Sequence, residues 1–218
     1  RLLPPKGRII DIACGQGFFS KQYAAAGANV LGIDISPELI QRARAQKVQN
    51  ARFEVASASH MKMAESVTYD GAMLVLALQN IEDLPGTLAE TSRALTKDGV
   101  LVIVLNHPCF RIPRASAWGY DERAKVQYRR IERYGVPFSI KIDMTPGAKR
   151  EEKKVHTVSF HRPLQDYMKA LAKAGFSLIG LEEWISHKKS EKGPRASAED
   201  AARKEFPLFL ALVARKVR

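Results

Sequence analysis

Short apolar runs alternate with helix-period segments over the first 105 residues, and that alternation admits few folds. Residues 8–13 read as a buried strand, 18–26 as a helix stopped by Gly27, and 28–33 as a second strand. Ser36 fits an N-cap, with Pro37 at the first position of a second helix. Residues 51–56 form a third strand and 69–76 a fourth, the latter nearly all apolar, as a strand covered on both faces should be. A helix over 84–95 and a fifth strand over 100–105 follow. Such a series predicts a mostly parallel sheet with helices on both faces.

The series breaks after residue 105. Residues 106–162 contain Pro108, Pro113, Pro137 and Pro146 among scattered charges. Within them Val136, Phe138, Ile140, Ile142 and Met144 alternate at period two, and 155–160 is strand-like again. The spacing predicts an inserted antiparallel hairpin with its turn near 145–154. A helix over 164–174 and strands over 176–182 and 206–214 then complete the same domain. The stretch 187–205 reads as a basic loop with one helical turn. Folds of this kind often carry one or two helices before the first strand, and whether such a segment precedes Arg1 stays open.

Hydrophobic residues make up 45% and charged residues 27%, which excludes a disordered chain. No apolar run reaches the roughly 20 residues of a membrane span, so no membrane partner is expected. Two cysteines are too few for a disulfide framework, and the first residues lack a signal core, so a cytoplasmic setting is expected. The net charge of +12 is uneven: residues 1–105 carry 11 Lys and Arg against 10 Asp and Glu, and 106–218 carry 24 against 13. That basic half suits nucleic acid, an anionic surface or an acidic small molecule, and equally a solvated lysine-rich face.

The residues that carry chemistry sit at strand ends. Asp11-Ile12-Ala13-Cys14-Gly15-Gln16-Gly17 joins the first strand to the first helix. Gly15 and Gly17 let a backbone approach a ligand closely, beside the free N–H groups of a helix start, though a tight turn alone would also use them. Asp34 ends the second strand, where a carboxylate can accept both hydroxyls of a ribose. Turn formation is the bland alternative for it.

The full pattern, an apolar strand, Asp11-x-x-Cys14-Gly15-x-Gly17, then Asp34, then two apolar strands, resembles the class I S-adenosylmethionine (SAM)-dependent methyltransferases, in their small-molecule, type 11-like branch. The resemblance implies a Rossmann-like, mixed seven-stranded α/β sheet in the order 3-2-1-4-5-7-6, with the seventh strand antiparallel. It implies SAM as cofactor and S-adenosylhomocysteine as product. Residues 1–105 would be the cofactor-binding half, 106–162 a lid that binds substrate, and 163–218 the end of the same domain. Ala13, Gly15 and Gly17 would flank the amino-acid part of the cofactor, with Asp11 near its ammonium. Asp34 would hold the ribose and Ile35 pack on the adenine. Ser57 and Ala58 stand where many members carry Asp-Ala beside the adenine amino group, so Ser57 departs from the pattern. Leu74 and Leu78 fall where relatives line the methionine arm.

Methyl transfer from a sulfonium needs alignment and a dry site, and a base only if the acceptor keeps its proton until attack. His107, fixed by Pro108 after the fifth strand, is the candidate catalytic base, with a packing role as its rival. Asn80, Tyr134, His161 and Arg162 are candidate substrate contacts, and Gln79 could orient an acceptor or cap a turn. Cys109 reads as a small packed residue rather than a nucleophile. No metal is expected: His156 and His161 point to opposite faces of one strand, and nothing clusters with them. The expected partner is a small-molecule acceptor that is anionic or carries an acidic group, because 106–162 holds 13 Lys and Arg against 6 Asp and Glu. An RNA or protein methyltransferase using the basic lid, and a SAM-binding module without catalysis, stay open as alternatives. The Asp/Asn-Pro-Pro-Tyr motif of adenine and glutamine methylation is absent after the fourth strand, which lowers the nucleic-acid reading.

Overall fold

Strands whose two faces are both apolar must be covered on both sides, and the chain meets that demand with one central sheet. The computed structural model describes residues 2–143 and 156–218. The strands β1 (Arg8–Ile12), β2 (Asn29–Asp34), β3 (Ala51–Val55), β4 (Tyr69–Val75) and β5 (Leu95–Asn106) are mutually parallel. The helices α1 (Phe18–Ala25), α2 (Pro37–Ala45) and α3 (Leu84–Ala94) connect them. Four further strands, β6 (Ser116–Asp121), β7 (Val126–Ile131), β8 (Phe138–Asp143) and β9 (His156–His161), stand outside this sheet as two antiparallel pairs. The chain returns through α4 (Leu164–Lys173), β10 (Phe176–Trp184), α5 (Ala196–Glu205) and β11 (Phe209–Lys216). Sheet order is β10-β11-β5-β4-β1-β2-β3, with β11 antiparallel to both neighbours. Counting only the strands of this sheet, that is the expected 3-2-1-4-5-7-6.

Period-two alternation divides the core. Ile10 and Ile12 of β1 face a layer with Leu74, Ile103, Leu88 and Leu171, under α3 and α4. Ile9 faces the opposite layer, with Val30, Met73, Val102 and Val213. Ser36 caps α2 by accepting the Leu39 N–H at 3.3 Å, and Asp83 caps α3 through the Gly86 N–H at 2.8 Å. Among the described residues no helix is long and apolar enough to cross a membrane.

Two elements differ from the sequence-based expectation. The stretch 187–205 contains a ten-residue helix, α5, rather than a single turn. Its Ala, Glu, Arg and Lys residues are strong helix formers, but only Ala202 is buried, so it lacks the apolar stripe that marks a helix in sequence. The insertion holds a second hairpin, β6–β7, besides the expected one at β8–β9. The expected turn near 145–154 lies outside the described residues.

Leu88 of α3 is fully buried in the layer beneath β4 and β5. Leu88→Ala should destabilise the fold by about 2–5 kcal/mol through lost burial and a residual cavity. Urea unfolding should show a lower midpoint with an unchanged slope.

Candidate functional site

Parallel strands end together, so the turns after β1, β2, β3 and β4 gather along one edge of the sheet. The turn after β1 is held open by backbone geometry that favours glycine. Ala13, Gly15 and Gly17 have φ values of 57°, 57° and 82°. A methyl group on Gly15 would meet nothing within 4 Å, whereas one on Gly17 would strike the Phe53 ring at 2.8 Å. Gly15 therefore leaves free space beside the turn, and Gly17 lets α1 start against Phe53.

Asp34 ties this turn to the end of β2. One carboxylate oxygen accepts the Gly15 N–H and the other the Ser36 N–H, each at 2.9 Å. The turn-forming role thus exists alongside any ligand role, since each oxygen keeps a second lone pair. A cleft of about 340 Å³ opens here. Its walls include Ala13, Asp34, Ile35, Ser57, Ala58 and Asn80. That volume lies in the about 300–1,000 Å³ range of small-molecule sites. Ile35 is 74% exposed, an apolar surface beside a carboxylate.

Other expected site residues lie elsewhere. Asp11 is buried beneath the turn, with Ser20 Oγ donating to its carboxylate at 2.6 Å. Burial raises its pKa from 3.8 to about 7, against the lowering by Ser20. Leu74 and Leu78 are fully buried in the core, so they present no surface to a ligand; Leu76, at φ 54° and 41% exposed, is the outward residue between them. Strand alternation and the following 3-10 turn, Leu78–Asn80, turn those two leucines inward.

The structure corrects the catalytic assignment of His107. Its ring is buried, Nδ1 accepts the Cys109 N–H at 3.2 Å, and Nε2 lies 2.8 Å from Glu183 Oε1. The Nδ1 contact places the proton on Nε2, which donates to Glu183. Burial lowers the imidazole pKa, with Glu183 opposing. Neither nitrogen is left to take a proton from an acceptor, and the packing role prevails. Glu183 had no signal in the sequence, because it reaches His107 from a distant strand.

Tyr134 and His161 likewise join the lid to the core. Tyr134 Oη accepts the Leu164 N–H at the start of α4 at 3.1 Å, and His161 Nε2 donates to the Tyr134 carbonyl at 2.8 Å. Arg162 Nη2 donates to the carbonyls of Ile81 and Glu82 at 2.9 and 2.6 Å. Both Nη2 protons are thus committed to backbone carbonyls, so Arg162 ties the end of β9 to the segment after β4. Arg129 is similarly engaged, donating to the Phe110 carbonyl and to Ser116 Oγ.

A glycine turn, a carboxylate one strand further and an apolar platform stand together where open α/β sheets bind their ligands, at the carboxyl ends of the strands. A family model described as a methyltransferase domain matches residues 10–103. A demethylmenaquinone methyltransferase of Tropheryma whipplei (strain Twist) is 31% identical over 103 residues, 46% of this chain and 42% of that protein. A trans-aconitate 2-methyltransferase of Deinococcus radiodurans is 28% identical over 153 residues, 67% of this chain and 56% of that protein. The chain thus spans about half the length of the curated relatives it matches. The solved S-adenosylmethionine dependent methyltransferase of Mesorhizobium loti superposes with a TM-score of 0.76 at 28% identity, covering 98% of this chain and 94% of that one. Residues 10–103 thus match a methyltransferase domain, and the whole fold is that of a solved SAM-dependent methyltransferase.

Asp11 provides a test of the floor of this crevice. Its folded pKa of about 7 lies above the unfolded 3.8, so its contribution to stability is complete below pH 4 and is lost as pH rises through 7. Asp11→Asn cannot ionise and still accepts from Ser20. It should match the parent near pH 4 and exceed it at pH 8 by on the order of 4 kcal/mol. Thermal melts across that range check the sign.

Proposed function

We propose that the chain transfers a methyl group from SAM to a small-molecule acceptor, chiefly by alignment. The observation that carries this reading is the Asp34–Ile35 pair in the cleft, a doubly anchored carboxylate next to an isoleucine that is 74% exposed. The open space beside Gly15 fits the amino-acid end of the cofactor, Asp34 the ribose hydroxyls, and Ile35 with Ser57 and Ala58 the adenine. When bound, SAM supplies an electrophilic methyl carbon on a sulfonium. The chain's residues then bind, orient and exclude water. The curated relatives are, by name, methyltransferases of small molecules, which supports the acceptor class.

One surface favours a second reading. A groove of about 520 Å³ is lined by Lys188, Lys189, Lys192, Arg195 and Arg203, a basic track that RNA could follow. Label from methyl-labelled SAM, added with the protein to a fractionated cell extract, separates the readings. Small-molecule label supports the first. Label in RNA with a steep salt dependence supports the second, and binding without any transfer supports a non-catalytic module.

Asp34→Ala should weaken S-adenosylhomocysteine binding by about 1.5–3 kcal/mol, as for lost hydrogen bonds to a charged group. Unchanged affinity by calorimetry would remove the ribose assignment. His107→Gln should keep the transfer rate within about tenfold while lowering the melting temperature, because loss of a true general base costs about 10²–10⁴.

A further inference from the structure

The cations of the β6–β7 hairpin and those at its root are treated differently by the fold. In the hairpin they meet carboxylates: Arg130 lies 2.9 Å from Glu132 and Lys125 3.4 Å from Glu122, with which Arg195 of α5 also pairs. At the root, Arg111 and Arg129 have no carboxylate partner among the described residues. Arg129 Nε donates to the Phe110 carbonyl at 2.8 Å and Nη2 to Ser116 Oγ at 2.7 Å, which brings its guanidinium against the turn that carries Arg111. That turn is itself fixed, because the Phe110 and Arg111 N–H groups donate to the His107 carbonyl at 3.2 and 2.8 Å. Each guanidinium is also backed by an aromatic ring, Arg129 by Trp118 at 4.9 Å and Arg111 by Phe209 at 5.3 Å. Stacking holds the plane of a guanidinium and leaves the N–H groups at its edge free to donate.

Like charges held this close repel. Arg129 registers it: burial first, and then the charge of Arg111, lower its pKa. A guanidinium cannot relieve the repulsion by shedding its proton, so relief needs an opposite charge. Donors for one are available. Arg129 uses two of its five N–H groups, and the side-chain donors of Arg111 meet no acceptor among the described residues. An oxyanion accepts from both guanidiniums at once, bidentately where the edge is free. A neutral hydroxyl brings no charge, and an ammonium would add to the repulsion. The two rings are covered by guanidiniums rather than left to stack bases, which favours a small anion over RNA. The place also suits a ligand. Arg111 follows the carboxyl end of β5, on the edge of the sheet where the turns after β1 to β4 gather.

We propose that Arg111 and Arg129 form a binding site for the oxyanion group, carboxylate or phosphoryl, of a small molecule. The site is defined by the chain alone, so it goes beyond the methyl-transfer reading and does not rest on it.

The test titrates the full chain, at constant ionic strength, with malonate, inorganic phosphate and the neutral malonamide. The readout is the side-chain Nε–H resonances of Arg111 and Arg129. Malonate or phosphate should move both resonances saturably, and malonamide should not. The tighter of the two anions names the source of the group, an organic acid or a phosphoryl compound. Arg111→Gln removes the charge from an exposed side chain and should weaken that anion by about tenfold or more. Arg111→Lys keeps the charge but loses the fork, and should weaken it by less. Arg123→Gln, at an exposed arginine of the same hairpin, controls for net charge and should leave the affinity unchanged. An equal loss in Arg123→Gln, equal shifts with chloride at matched ionic strength, or no shift with either anion would overturn the proposal. So would an RNA oligonucleotide that moves both resonances and that neither anion displaces. If Arg111→Gln fails to fold, the resonances of the parent chain decide.

Discussion

The carboxylate of Asp34 is the tie on which the candidate site depends. Its two oxygens hold two backbone N–H groups, one from the glycine turn after β1 and one from the start of α2. The Cys14 N–H adds a second link, to the Ile33 carbonyl at 2.8 Å. The turn is thereby fixed against the neighbouring strand end before any ligand arrives, with Gly15 leaving space beside it. Preorganisation of this kind reduces the ordering cost of binding. It also explains why the acidic residue stands at the last position of β2: one residue earlier, its side chain would point to the other face.

A second set of polar contacts joins the inserted hairpins to the sheet. His107 meets Glu183 across β5 and β10, Tyr134 takes the first N–H of α4, and Arg162 spans from β9 to the segment after β4. Each contact satisfies a backbone or side-chain group that the insertion would otherwise bury alone. His107 and His161 thereby both have ring nitrogens engaged in holding the insertion. Arg162 and Gln79 stand apart because each has one atom committed and one unmatched.

The main sheet was legible in the sequence because apolar runs such as 100–105 and helix caps such as Ser36 are local signals. Asp34 was legible from its place at a strand end, and Ile35, Ser57 and Ala58 through the family resemblance; all four line the cleft. The rest depended on contacts far apart in sequence. His107 looked like a base until Glu183, 76 residues on, occupied its Nε2. Leu74 and Leu78 were placed by resemblance, but strand alternation turns them into the core. The β6–β7 hairpin did carry a signal, the alternation of exposed and half-buried residues along Val126–Ile131, but its buried side is too polar to stand out by hydrophobicity. Helix α5 was hidden by its lack of an apolar stripe.

The central claim is that the cleft between the β1 and β2 ends is the SAM site. A structure of the chain with S-adenosylhomocysteine tests it most directly. The account predicts the ribose hydroxyls on Asp34, the adenine against Ile35, and the amino-acid end beside Gly15. A ligand seated elsewhere, or one that leaves Asp34 without a ribose contact, would contradict it.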